Sequence, residues 1–262
     1  MADLQRLRDL MQRLRAPEGG CPWDLEQTFS SLVPHTLEEA YEVADVIARA
    51  DFEHLPGELG DLLFQVLFYS QLGEEQQRFG MDDVMSALEH KLVSRHPHVF
   101  GDERLADAAE VASAWEARKA RERGARQPQS LVSELDDVPS SLPALSRARK
   151  LQKRAARVGF DWPDVNGPWS KLHEETDELA QAVAGADRGE IEAEMGDLLF
   201  AAVNLARHLD IDAEAALRAA NAKFERRFRH IETVVAGRGQ RLEDSALSEL
   251  DALWDEAKRA GL

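Results

Sequence analysis

Beginning at Glu194 the chain reads EMGDLLF, two carboxylates three residues apart at the head of an apolar run; ELGDLLF, beginning at Glu58, matches it at six of seven positions. A second acidic group precedes each: Glu174, Glu175 and Glu178 in one case, Glu38, Glu39 and Glu42 in the other. Residues three and four apart share a helix face, so Glu175 pairs with Glu178 on one helix and Glu194 with Asp197 on the next. If these helices pack antiparallel, the four carboxylates converge on one point. Uncompensated, they repel, and partial burial of such charge drives protonation. A hard divalent ion removes the conflict, because Mg²⁺ takes oxygen ligands in octahedral geometry and keeps positions for water and phosphate oxygens.

Blander explanations cover parts of this pattern. Thr36-x-x-Glu39 has the form of a capping box, and Glu58 follows Pro56-Gly57, where acids favour a helix N-terminus. In the second copy Leu172 stands where the cap would be, and Glu194 lies beyond the first turn of a helix starting near Gly189. A solvated acidic face accounts for any single carboxylate in so acidic a chain. It does not require identical spacing twice.

Basic and aromatic residues complete the candidates. Lys223 and Arg227 are four apart, a mutually repelling placement unless an anion such as phosphate sits between them; with Arg226 and Arg229 adjacent, a basic solvated turn is the alternative. Lys91 and Arg95 stand likewise in the first copy, just ahead of Pro97, which stops the helix. Trp254 suits either a nucleobase platform or a core. Cys21-Pro22-Trp23-Asp24 is partly echoed by Asp161-Trp162-Pro163-Asp164, and each is read as a loop docking by its tryptophan. SRARKLQKRAARVGF, beginning at Ser146, reads as a solvated helix face close enough to the second acidic group to be recruited for phosphate.

The elements that must position these residues form a repeat. Glu38, Glu39, Glu42, Glu58 and Asp61 recur as Glu174, Glu175, Glu178, Glu194 and Asp197, each displaced by 136 positions without a gap. Apolar spacing is helical throughout, as in Leu4, Leu7, Met11 and Leu14 or Leu37, Tyr41, Ala44 and Ile47, while strand and hairpin signals are nearly absent. LLFQVLFY, after Asp61, reads as a helix buried on almost every side. The expectation is an all-α tandem duplication: a helical domain at 1–123, a Ser/Pro-rich linker at 124–142 and a second helical domain at 143–262.

Composition bounds the rest. A formal net charge of −17 over 262 residues disfavours nucleic acid and anionic lipid surfaces, yet leaves room for a nucleotide bridged by a divalent cation. No apolar stretch approaches a membrane span, and the single cysteine, Cys21, suits a reducing compartment, so a cytoplasmic location is expected. A di-iron carboxylate bundle would need Glu-x-x-His motifs, and no histidine has a glutamate three residues before it. The non-enzymatic alternative is a helical interaction module, most applicable to the N-terminal copy.

GGCPWDLEQT, EEAYEV, ELGDLLF, QKRAARVGFDW, EETDEL, EMGDLLFAAVNLARH and NAKFERRF together closely resemble the MazG nucleoside triphosphate pyrophosphohydrolases over nearly the whole chain. That resemblance implies helical MazG domains, Mg²⁺-dependent cleavage of an NTP or dNTP to monophosphate and pyrophosphate, and a homodimer. By position it implies Glu175, Glu178, Glu194 and Asp197 as metal ligands, Lys171, Lys223 and Arg227 as phosphate contacts, and Trp254 near the nucleotide. Glu174 is the candidate acceptor of the attacking water's proton. In the family the N-terminal copy is often silent; here His35, a weaker cation at neutral pH, stands where the second copy has Lys171. Glu190 departs from the family, which can carry a lysine there.

Overall fold

In the computed structural model of the chain, the stripe Leu4, Leu7, Met11 and Leu14 lies on helix α1 (Leu4–Leu14), whose first turn is closed by the Asp3 carboxylate accepting from Arg6 N. The structure describes residues 3–104, 107, 110–111, 114–115, 118, 133–136 and 138–262. After α1 come α2 (Pro22–Glu26), α3 (Val33–Ala48), α4 (Leu55–Glu75), α5 (Met81–Arg95) and α6 (Pro97–Phe100). The later helices are α7 (Ala144–Arg157), α8 (Asn166–Gly185), α9 (Arg188–His208), α10 (Ala213–Gly237) and α11 (Leu247–Arg259), with a 3₁₀ turn at Leu242–Asp244. Among the described residues there is no strand, and no helix is long and apolar enough to cross a membrane. The architecture is all-α and duplicated.

The chain divides into two compact units, Met1–Pro128 and Gln129–Leu262. The linker expected at 124–142 falls mostly outside the described residues.

In the N-terminal unit α4 is the central helix, packed by α1, α3 and α5. Met11, Leu32, Phe68 and Leu72 form its core, with Phe29, Phe64 and Tyr69 against them. Arg15 sits inside this core. Its guanidinium pairs with Glu75 through two contacts (Nε to Oε1 2.8 Å, Nη2 to Oε2 2.7 Å), donates to the Asp24 carbonyl, and lies 5.4 Å from the centroid of Phe68. That bonding holds the Glu75 carboxyl below its ordinary value. A buried arginine is tolerable here because its donors are matched by carboxylate and carbonyl oxygens.

In the C-terminal unit α8 and α9 form a helical hairpin joined only by Ala186, in the left-handed region at φ 57, and Asp187. The Asp187 side chain accepts from Gly189 N at 2.8 Å and Glu190 N at 3.4 Å, satisfying two donors that a helix start leaves open. Helix α7 packs on α9 and on α10, and α10 packs on α11. Ile231, Val235 and Leu253 form a core there, joined by Val234, Leu242, Leu250 and Trp254.

Two local expectations change. Thr36 is not a cap: α3 already begins at Val33, and the Thr36 hydroxyl sits one turn in, bonding the Leu32 carbonyl at 3.0 Å and the Tyr69 hydroxyl at 2.9 Å. A hydroxyl inside a helix has the carbonyl four residues back within reach, and here it takes that option. Nor is LLFQVLFY buried all round. Leu67 and Phe68 are inside, whereas Leu63 and Val66 are exposed.

Truncating the two faces of α4 therefore has unequal effects. Phe68→Ala should lower unfolding stability by about 3–5 kcal/mol, whereas Leu63→Ala should cost under about 1 kcal/mol, because an exposed side chain leaves no cavity; denaturant melts of the full chain measure both.

Candidate active site

Helix α8 carries Lys171, Glu174, Glu175 and Glu178 within two turns, and the hairpin brings α9 alongside with Glu194 and Asp197. Glu175, Glu194 and Asp197 each offer an oxygen, all within 4.8 Å of one another. Glu175 is 4% exposed, whereas Asp197 is open to solvent. Lys171 compensates part of this charge: its Nζ lies 2.7 Å from both Glu174 Oε1 and Glu175 Oε1, and those bonds push its pKa up. Glu178 stands outside the trio. Burial first, and then the charges of Glu175, Glu174 and Glu194, push its carboxyl up against the pull of Lys171.

The first copy repeats the pattern with a difference. Glu39, Glu42 and Glu58 form the close trio, and burial, followed by Asp61 and Glu42, pushes the Glu39 carboxyl up. Glu38 pairs with His35 at 3.8 Å. Lys91 is exposed near the end of α5, and Arg95 is its last residue.

Against the second trio lies a pocket of about 570 Å³, lined by Lys171, Glu175 and Asp197, by the apolar Leu151, Ala155, Phe160, Trp162, Phe200 and Ala201, and by Gln152, Asn204, Arg207 and Asp161. The tryptophan of the Asp161-Trp162-Pro163-Asp164 segment thus forms a pocket wall. It rests on Gly167, where a Cβ would collide with the indole ring. Asp161 ties the segment to the end of α9, receiving Arg207 Nη1 at 2.9 Å, Arg207 Nη2 at 2.5 Å and His208 Nε2 at 2.9 Å. The Arg207 guanidinium, with His208, holds its carboxyl down at about 2.

Lys223, Arg227 and Trp254 are placed elsewhere on α10 and α11, outside the lining of this pocket. Lys223 is exposed. Arg227 lies 5.4 Å from the Trp254 ring centroid, and its Nε donates to the Leu262 carbonyl at 2.8 Å. Trp254 meets Phe224 at 5.2 Å and packs on the Ile231, Val235 and Leu253 core. Gln152, Asn204 and Arg207 are polar pocket residues that the spacing did not single out, and Asp161 entered only with the tryptophan segment. One signal existed: Asn204 interrupts an apolar helix where the first copy carries Phe68.

The family model for the MazG nucleotide pyrophosphohydrolase domain matches residues 27–100 and 169–232, one segment in each unit. The chain belongs to the MazG family. Both matched MazG segments contain their acidic groups and end beyond the Lys-x-x-x-Arg pair, whereas Gln152, Asp161 and Trp254 lie outside them. A nucleoside triphosphate pyrophosphohydrolase of Escherichia coli (strain K12) is 52% identical over 99% of this chain and 98% of its own length. The MazG nucleoside triphosphate pyrophosphohydrolase/pyrophosphatase of Thermotoga maritima is 41% identical over 97% and 95% respectively. An uncharacterized Bacillus subtilis protein, YabN, is 44% identical over 98% of this chain but only 52% of its own.

The Asp161 latch makes a pH prediction with a definite sign. Folding lowers this carboxyl from its ordinary 3.8 to about 2, so its stabilisation is complete above pH 4 and is lost as pH falls toward 2. Wild type should exceed Asp161→Asn in stability at pH 6 by on the order of 2 kcal/mol, and the difference in denaturant midpoint should shrink steadily below pH 4.

Proposed function

We propose that the chain hydrolyses nucleoside triphosphates, ribose or deoxyribose, to the monophosphate and pyrophosphate in its C-terminal unit, with Mg²⁺ as cofactor. The observation that carries this reading is the Glu175, Glu194 and Asp197 trio, with oxygens within 4.8 Å, two of whose members, Glu175 and Asp197, line a pocket of about 570 Å³. A set of hard carboxylate oxygens fits a hard divalent ion, and Glu178, one turn along α8, is the fourth candidate ligand. Such an ion supplies charge neutralisation and polarisation of the phosphate oxygens. Family membership and the activity for which the Escherichia coli and Thermotoga maritima relatives are named support the same reading.

The chain's own residues then have separable tasks. Lys171, tied to Glu174 and Glu175 at 2.7 Å, is placed to exchange a carboxylate for a phosphate oxygen when the triphosphate arrives. Glu174, exposed beside it, accepts the proton of the attacking water as the new oxygen–phosphorus bond forms and pyrophosphate departs. Lys223 and Arg227 on α10 are the candidate contacts for the leaving pyrophosphate and Trp254 on α11 for the nucleotide, although the three stand outside the lining of the pocket. A cytoplasmic homodimer that removes unwanted nucleotides is the wider setting, supported by the resemblance and by Met195 and Leu199, which α9 leaves exposed.

For the N-terminal copy we favour the non-catalytic reading. The specific observation is Phe68, fully buried beneath Arg15 where the other copy opens its pocket.

Pyrophosphate release from a panel of NTPs and dNTPs with Mg²⁺ tests the activity. Glu175→Gln and Asp197→Asn should each reduce it on the order of 100-fold, and a chelator should abolish it. Mg²⁺ should raise the melting temperature of wild type but not of the Glu175→Ala, Glu178→Ala double variant. Undiminished turnover by that double variant would defeat the proposed site.

A further inference from the structure

One wall of the pocket holds a hydrogen-bonding atom without a partner. Gln152, on α7, is 7% exposed and lines the pocket. Its Nε2 donates to the Phe200 backbone carbonyl at 2.8 Å, which fixes the amide's orientation because that carbonyl can only accept. Oε1 is therefore the other end of the amide, buried and without a hydrogen-bond partner among the described residues. A buried carbonyl left unpaired is destabilising, and a donor carried by a bound molecule is one way of meeting that cost. Asn204, 8% exposed, lines the same pocket from α9. Its Oδ1 is taken by Arg207 Nε at 2.9 Å and Nη2 at 2.7 Å, so its Nδ2 is the end left to donate. The pocket thus offers one acceptor and one donor between apolar walls.

Those walls suit something flat. Phe160 is 83% exposed and Trp162 and Phe200 are also exposed, so three aromatic side chains border the space without filling it. Lys171, Glu175 and Asp197 line the same space, which places charge next to it. The first copy shows what happens without the amide pair. At the position of Asn204 it has Phe68, 0% exposed, so a buried ring occupies that volume.

We propose that Gln152 and Asn204 read the nucleobase: Gln152 Oε1 accepts an N–H from the pairing edge of the base, and Asn204 Nδ2 donates to the neighbouring ring nitrogen or carbonyl. The ligand class is a nucleotide whose base carries that N–H. The assignment rests on the nucleotide reading of the acid site, and it makes these two residues determinants of specificity rather than of the chemical step.

Equilibrium binding to the full chain, by calorimetry with Ca²⁺ in place of Mg²⁺, tests it separately from turnover. The four common nucleoside triphosphates are compared with counterparts whose edge N–H is deleted or methylated, such as purine riboside triphosphate for ATP and N3-methyl-UTP for UTP. The tightest-binding natural nucleotide should lose about tenfold or more when its N–H is removed. Gln152→Leu should erase that difference, and Asn204→Asp, which keeps an acceptor for Arg207, should weaken the natural nucleotide to a similar degree. Equal affinity for natural and donor-less nucleotides, or discrimination that survives Gln152→Leu, overturns the inference. If that variant does not fold, the wild-type comparison alone decides. Base-dependent binding without pyrophosphate release would sink the catalytic reading while upholding this one, and release with base-blind binding would do the reverse.

Discussion

Mutual repulsion among carboxylates is the constraint around which the C-terminal unit is organised. Three acidic oxygens held within 4.8 Å of one another carry an electrostatic penalty of about 3 kcal/mol per ionised pair at an effective dielectric near 20. No isolated helix would gather them. The packing of α8 along α9 does so, and Lys171 offsets part of the penalty by binding two oxygens at once. A divalent cation bound there would offset the rest, which is the physical basis of the proposed Mg²⁺ site.

Much of this was legible in the residues. Helical spacing in α1 and α3 and the pairing of Glu194 with Asp197 on one face follow from periodicities of three and four, which local geometry enforces, and the duplication from a constant displacement of 136 positions. Tertiary partners were not legible. Whether Leu63 faces core or solvent depends on which side of α4 its neighbours cover. Thr36 had the spacing of a cap, but the helix starts a turn earlier, so its hydroxyl turns back on Leu32. The pocket was hidden for the same reason: Gln152 and Asn204 belong to different helices, and only packing of α7 on α9 makes them line one space.

The two copies show how one acidic framework can diverge by filling or clearing a single volume. Phe68 and Arg15 occupy the interior of the first copy, with Glu75 neutralising the guanidinium. Asn204 stands in place of Phe68 in the second and lines an open pocket. Duplication permits this because one copy can keep an open pocket while the other fills the equivalent volume.

The connection between α8 and α9 bears on how such a gene can change. Surface turns are ordinarily where insertions and deletions accumulate. This one has two residues, Ala186 and Asp187, the former already in a left-handed backbone and the latter committed to closing the next helix. An added codon would have almost no slack to disappear into, and each residue drawn into α9 would turn its face by about 100°. Glu194 and Asp197 would then swing away from Glu175. The hairpin loop, though exposed, is therefore a length-locked segment, and drift in this lineage is expected to alter its letters but not its number.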